Sequence, residues 1–168
     1  MKGFARVNPD VVRRAAEHMK ARAAKAWPYR VSVGLHAEDA QSPALDYNGI
    51  EGKLRLIEVA AMLEMGTDSM PERSFLRSWF DQNISRMKRE AVTAMRDEFK
   101  SGSKGAVDEI AQRWSNELQD WIRSGAANLT PLASSTVRRR EQAGLSPDVP
   151  LDARGQLVAA IRSLVEEA

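Results

Sequence analysis

The sequence predicts an α+β fold, mostly helical, in which a small β-sheet is flanked by long amphipathic helices that include a helical hairpin. Three observations carry this expectation. Tyr29, Val31, Val33 and Leu35 alternate with Arg30, Ser32, Gly34 and His36, the period-two signature of a half-buried strand. From Phe80 to Ile122 apolar residues recur at helical spacing in two long stretches broken at Ser101-Gly102. With 43% hydrophobic content in 168 residues, the chain can bury one core, which favours a single structural domain over 1–168.

The elements follow in order. Asn8-Pro9-Asp10 offers a capping side chain, a proline at the first helical position and an acid in the first turn. A basic helix then carries Val11, Ala15, Met19, Ala23 and Ala26 on one face and ends near Trp27-Pro28, so 1–28 forms the first segment. The second, 29–76, opens with the strand. From Ala37 to Gly52, Ser-Pro, Asp-Tyr-Asn-Gly and many acids without a sustained apolar period predict a long surface loop. Leu54 to Met65 is apolar almost all round, which predicts a helix covered on most sides whose two acids, Glu58 and Glu64, need partners. Gly66 can end it in the left-handed conformation.

The third segment, 77–125, is the hairpin. Phe80, Ile84, Met87, Ala91, Ala94 and Met95 line one face of its first helix, with Arg86, Lys88, Arg89, Glu90, Arg96 and Asp97 on the other. After Ser103-Lys104-Gly105, a second helix buries Val107, Ile110, Ala111, Trp114, Leu118, Trp121 and Ile122 and stops at Gly125. In 126–168, Asn128 to Pro131 is a turn and Ser134 or Ser135 caps a short helix through Arg138, Arg139 and Arg140. Gly144 to Pro150 is a loop, and a last helix over Asp152 to Glu166 buries Leu157, Ala160, Ile161 and Leu164.

Net charge is only +2, but its distribution is uneven. Residues 1–30 hold eight Lys or Arg against two acids, a local +6, whereas 36–51 hold Glu38, Asp39, Asp46 and Glu51 with no basic residue, a local −4. Opposite patches suit head-to-tail contact between copies, and equally describe a solvated helix followed by a solvated loop. The absence of cysteine removes disulfides, thiolate metal sites and cysteine nucleophiles, and fits a reducing compartment. No apolar run approaches the roughly 20 residues of a membrane helix, and the amino terminus lacks the apolar core of a secretion signal, so a soluble protein is expected.

Catalytic chemistry has little to build on. His18 and His36 lie in different elements without a second ligand at metal-binding spacing, and Glu58 and Glu64, six apart, sit on different faces of one helix. Neither a Gly-x-Ser-x-Gly elbow, a phosphate-cradling Gly-Lys-Ser/Thr loop nor a dinucleotide glycine pattern is present, so no enzyme activity, metal or cofactor is expected. Arg138-Arg139-Arg140 and the basic first helix allow an alternative, a basic helical DNA-binding or DNA-packaging accessory protein, although no aromatic or glycine-rich recognition motif accompanies them. The four tryptophans are expected in the core rather than as stacking platforms.

The most informative stretch is Glu64 to Leu76, where Gly66 follows an apolar helix and Pro71 precedes Arg73, Phe75 and Leu76. Arg73 can grip a carboxylate or carbonyls of another subunit, or form an intramolecular salt bridge that holds the loop. Phe75 and Leu76 are either anchors for a partner's pocket or ordinary core residues.

The order of motifs resembles the tail-component and virion-morphogenesis proteins at the neck or tail-completion position of tailed bacteriophages. Val31-Ser32-Val33-Gly34-Leu35 is similar to that family's early Val-x-Val-Gly strand, and Ile57 to Thr67 resembles its helix ending in an acid, a hydrophobic residue and glycine. Met70-Pro71-Glu72-Arg73-Ser74-Phe75-Leu76 resembles its Ile-Pro-x-Arg-Pro-Phe-Leu loop, with Ser74 in place of the second proline. Leu129 to Arg140, including Pro131, Leu132, Thr136 and Arg138-Arg139-Arg140, is similar to a Pro-Leu-Ser-x-x-Thr segment followed by basic residues. Leu151 to Leu157 resembles a Leu-x-Thr-Gly-x-Leu element without the threonine. Relatives often continue into a closing strand, and the resemblance leaves that pairing open here. It implies a non-enzymatic virion protein, assembled in the host bacterial cytoplasm as a homo-oligomeric ring around the DNA channel. Its implied partners are portal or head-completion proteins and tail proteins, with non-specific DNA contact in the channel and no membrane.

Overall fold

The computed structural model describes residues 13–14, 17, 29–46, 49–101, 105–124, 129–147 and 154–167. Of the expected basic first helix, Arg13, Arg14 and Glu17 are helical; Asn8-Pro9-Asp10, His18 and Trp27-Pro28 lie outside the described residues. So do the expected breaks at Gly102 to Lys104 and Gly125 to Asn128, and the stretch from Asp148 to Ala153.

The described chain is an α+β arrangement dominated by helices. The elements run β1 (Tyr29–Leu35), α1 (Ala37–Ala40), β2 (Pro43–Leu45), β3 (Glu51–Arg55), α2 (Leu56–Met65), α3 (Leu76–Ser101), α4 (Gly105–Arg123), α5 (Ser134–Gln142), α6 (Gln156–Ala159) and β4 (Ile161–Glu167). The helical hairpin forms as expected. Its two arms run antiparallel, because Arg86 on α3 meets Glu117 on α4 while, near the connection, the Val107 amide donates to Glu98 Oε1 at 3.3 Å. Val107, Ile110, Trp114, Leu118 and Ile122 form the buried stripe of α4, at the three- and four-residue spacing of one helix face.

β1 pairs antiparallel with β4 in continuous register from Tyr29↔Glu167 to Leu35↔Ile161, and α4 packs across both strands. Tyr29, Val31, Val33 and Leu35 turn toward the core, as the alternation predicts. β4 corrects the expected last helix. Ile161 is fully buried and Ser163 and Val165 are half-buried, whereas Arg162, Leu164 and Glu166 are exposed, so this segment obeys a period of two. Leu157 and Ala160 are buried as expected, but from α6 and its end; Leu164, expected inside, faces outward. The edge of β1 selects the segment because pairing satisfies the amides and carbonyls that alternate residues of β1 turn toward β4, which a helix there would have left unpartnered.

The predicted loop over 37–52 is also corrected, since it contains α1 and most of a β2–β3 hairpin. Asp46 makes the turn: its amide donates to the Ile50 carbonyl at 2.9 Å, its Oδ1 accepts from the Ile50 amide at 2.9 Å, and its carbonyl accepts from Gly49 at 3.1 Å. Gln156 holds the hairpin to the body, accepting from the Leu45 amide and donating to the Pro43 carbonyl, each at 2.9 Å. Arg154 Nε adds a bond to the Asp46 carbonyl at 3.2 Å.

α2 is less covered than its composition predicts. Leu56 and Ala60 are buried, but Ile57, Ala61 and Met65, which share one face, are exposed, Met65 by 76%. Glu58 has its partner, accepting from the Arg55 amide at 2.7 Å at the start of the helix. α5 starts after Ala133, not at a capping serine side chain, and shows no side-chain cap at all.

The core runs through Leu56, Phe75, Trp79, Met87, Trp114, Leu118, Ile122, Leu157, Val158 and Ile161. Phe75 therefore belongs to it, with 0% exposure, rather than to a partner's pocket. Phe75→Ala is expected to cost about 3–5 kcal/mol in urea denaturation; a loss below about 1 kcal/mol would show that the ring is not a core element.

Candidate functional site

The Glu64 to Leu76 stretch is built around one carboxylate. Glu64, at the end of α2, reaches the start of α3: Oε2 accepts from the amides of Phe75 at 2.8 Å and Leu76 at 3.0 Å. Oε1 accepts from the Arg77 amide at 3.0 Å and from Ser74 Oγ at 2.8 Å. A helix begins with amides that have no partner within the helix, and a negative charge there also meets the positive end of its dipole. One side chain from the preceding helix thus does the work usually done by a local capping residue. Glu98 repeats the device on a smaller scale at the start of α4 through Val107.

Desolvation of Glu64 pushes its carboxyl upward, but the hydrogen bonds from Ser74, Arg77, Leu76 and Phe75 outweigh it and hold the group below its ordinary value. The connecting loop needs its glycine. Gly66 has φ 75° and ψ 177°, a region beyond the left-handed helix conformation anticipated for it, and a Cβ there would lie 2.8 Å from the Glu72 amide nitrogen. Thr67 and Met70 close the turn with reciprocal backbone bonds of 2.8 and 3.2 Å.

Arg73 holds the other side of the loop. It is 5% exposed, and donates from Nε to the Thr130 carbonyl at 2.8 Å and from an Nη to the Pro131 carbonyl at 3.0 Å. Its amide donates to the Leu63 carbonyl at 2.8 Å, and Thr130 Oγ1 bonds the Glu72 carbonyl at 3.3 Å. Of the two uses expected for Arg73, its bonds follow the one within the chain, although its acceptors are carbonyls rather than the carboxylate of a salt bridge. Two motifs 57 residues apart in sequence, Pro71-x-Arg73 and Thr130-Pro131, are therefore one structural unit. Leu76 is half-buried against the core, so of the two uses expected for Phe75 and Leu76 both follow core packing.

The remaining candidates surround a groove of about 630 Å³ between the β2–β3 hairpin, α2 and α5, whose walls include Pro71, Leu132, Thr136, Arg73 and Arg140. Pro131 is exposed beside it and contributes its carbonyl to Arg73. The arginine triplet divides: Arg138 and Arg139 are exposed, whereas Arg140 is 4% exposed and donates to the Ser146 carbonyl at 3.3 Å. Burial and the nearby Arg140 charge both lower the Arg73 guanidinium from its usual value. His36 is bonded to the Arg162 carbonyl at 3.1 Å, and among the described residues no three His, Cys, Asp or Glu side chains gather as a metal site.

The chain matches no family model, no curated protein and no solved structure.

Sequence reasoning missed a polar cluster on the hairpin. Arg86 pairs with Glu90 at 3.1 Å and with Glu117, Arg113 pairs with Glu90 at 3.2 Å, and Trp114 Nε1 donates to Glu90 Oε2 at 2.6 Å. Arg86 is raised chiefly by its bond to Glu117. For Glu90, desolvation acts upward and is outweighed by Trp114, Arg86 and Arg113. Glu90 and Arg86 were assigned to the solvent face; the signal was their four-residue spacing opposite Arg113 and Glu117 on the facing arm.

Glu64→Ala is expected to cost about 2 kcal/mol at neutral pH. Because the folded carboxyl lies below its ordinary value of 4.5, its stabilisation is full above that value and is lost as pH falls through the folded one. The stability difference between the native chain and Glu64→Gln should thus be constant near pH 7 and shrink below about pH 4.5; a difference that persists unchanged into strong acid would remove the cap from this role.

Proposed function

We propose that this chain is a non-enzymatic structural protein of a tailed-bacteriophage virion, a neck or tail-completion component that assembles as a homo-oligomeric ring around the DNA channel. It joins portal or head-completion proteins to tail proteins and is put together in the host bacterial cytoplasm. The resemblance of its motifs, taken in order, supports the virion assignment, and the Arg73 bonds to Thr130 and Pro131 give two of those motifs a shared structural reason.

Self-association is carried by one observation, the apolar surface of the β2–β3 hairpin and α2. Of the eight large hydrophobic residues exposed among the described residues, Leu45, Ile50, Leu54, Ile57 and Met65 fall between positions 45 and 65. Exposed apolar residues scattered singly need no explanation, but five within one hairpin and the helix that follows it support a contact there. The competing reading as a basic DNA-binding protein draws on the arginine triplet and on the basic first helix; of the triplet, Arg138 and Arg139 are exposed and Arg140 is turned inward, which gives that reading less support than the apolar surface gives self-association. No described helix is long and apolar enough to cross a membrane.

Light scattering after gel filtration, with negative-stain imaging, tests the reading. The native chain is expected as closed rings, and Ile57→Asp combined with Met65→Asp is expected to yield monomers with unchanged circular dichroism, since both side chains are exposed in the protomer. A native chain that remains monomeric at every concentration would remove the proposal's basis.

A further inference from the structure

The two arms of the helical hairpin present opposite charge to solvent. On α3, Arg86 and Glu90 turn toward α4, while Lys88, Arg89, Arg96 and Lys100 are exposed. On α4, Asp108 and Glu109 are exposed just beyond Val107. Among the described residues none of these six exposed charged groups forms an ion pair or a side-chain hydrogen bond, although the rim between the arms is rich in both. Lys100 in the last turn of α3 and Asp108 in the first turn of α4 also suit the dipoles of their own helices. Arg89, Arg96 and Glu109 lie further in than those turns, where the dipole has faded.

The opposite charges are also matched in height. Glu98 Oε1 lies 3.3 Å from the Val107 amide nitrogen, which fixes one level across the antiparallel arms. Arg96 stands two residues back from Glu98 and Glu109 two residues on from Val107, so both lie about 3 Å from that level and on the same side of it. Copies related by rotation about an axis parallel to the hairpin meet without a shift in height, so α3 of one beside α4 of the next brings Arg96 to Glu109 and Lys100 to Asp108. The other pairings of arms are unfavourable, since α3 against α3 opposes cations and α4 against α4 opposes acids. A DNA duplex matches the cations of α3, but the acids at the same level on the adjoining arm repel its phosphates.

We propose that α3 of one copy packs beside α4 of a second copy of this chain with the two hairpins parallel, Arg96 and Lys100 facing Glu109 and Asp108 of the second copy. Because two different surfaces meet, the contact is heterologous and closes into a ring when its rotation allows. The inference rests on the self-association proposed above and names a contact for it distinct from the apolar surface of the β2–β3 hairpin and α2. Exposed ion pairs add little affinity one at a time; their effect here is to select which arm is met and at what height.

Arg96→Glu, Glu109→Lys and the chain carrying both substitutions are compared with the native chain by sedimentation equilibrium, after native circular dichroism and melting are verified. Each single reversal is expected to weaken self-association about tenfold by setting like charges together, and the combined variant to recover it to within about threefold of the native chain. Arg96→Gln and Glu109→Gln, which keep a good helix former at each position, are expected to weaken it in the same direction and serve where a reversal disturbs the fold. Oligomers of the native chain that are indifferent to both reversals, or a combined variant that associates no better than either single one, would overturn the α3–α4 contact while leaving self-assembly standing. Duplex binding by the native chain that Arg96→Glu abolishes without changing association would overturn it in favour of phosphate as the occupant of α3. A native chain that is monomeric at every concentration would overturn both this contact and the assembly on which it rests.

Discussion

The Glu64 carboxylate is the constraint on which the rest of the site depends. By taking three amides and one hydroxyl at the start of α3, it fixes where the longest helix begins relative to the end of α2. That distance sets the loop: Gly66 must turn where a Cβ would strike the Glu72 backbone, and Arg73 emerges facing the 129–131 segment. Each piece has poor chemistry by itself. Together they pin α2, α3 and the chain leading into α5 at one junction, and Phe75 is driven into the core directly beside it.

Much of this was legible in the residues. β1, the hairpin arms α3 and α4, the short basic helix and the break at Gly66 follow from periodicity and from the special backbone of glycine and proline, because each has one buried face that writes a regular pattern. The same reasoning required partners for Glu58 and Glu64 and found that both needed them, though not that Glu64 would find its partners on another helix. β4 was hidden because Leu157, Ala160, Ile161 and Leu164 fit a helical stripe as well as Ile161, Ser163 and Val165 fit a strand. Only the free edge of β1, more than 100 residues away in sequence, decides between them. β2 and β3 were hidden for the opposite reason. All five residues of β3 are exposed, so no alternation exists to be read, and the turn made by Asp46 was the remaining local sign.

The candidate residues also separate by role once placed. Phe75 and Gly66 build the junction, Pro71, Leu132, Thr136 and Arg140 line a groove that opens beside it, and Arg73 belongs to both. Residue type alone does not distinguish these uses, since an arginine between two hydrophobic anchors is equally suited to a partner or to its own chain. What separates them is whether the backbone carbonyls of a distant segment lie within reach. The apolar surface left exposed is therefore not in the motif that is sharpest in the sequence but on the hairpin and helix preceding it.

Gln156 gives that hairpin a direction. Its amide occupies the Leu45 and Pro43 main-chain groups that an incoming strand would otherwise pair with, so one rim of this two-stranded ribbon is already filled by a side chain. Further strands are turned away on that side at the cost of a single glutamine, and any growth of the ribbon is confined to the opposite rim, along β3. A sheet that can be extended from only one side favours ordered addition over indiscriminate clumping.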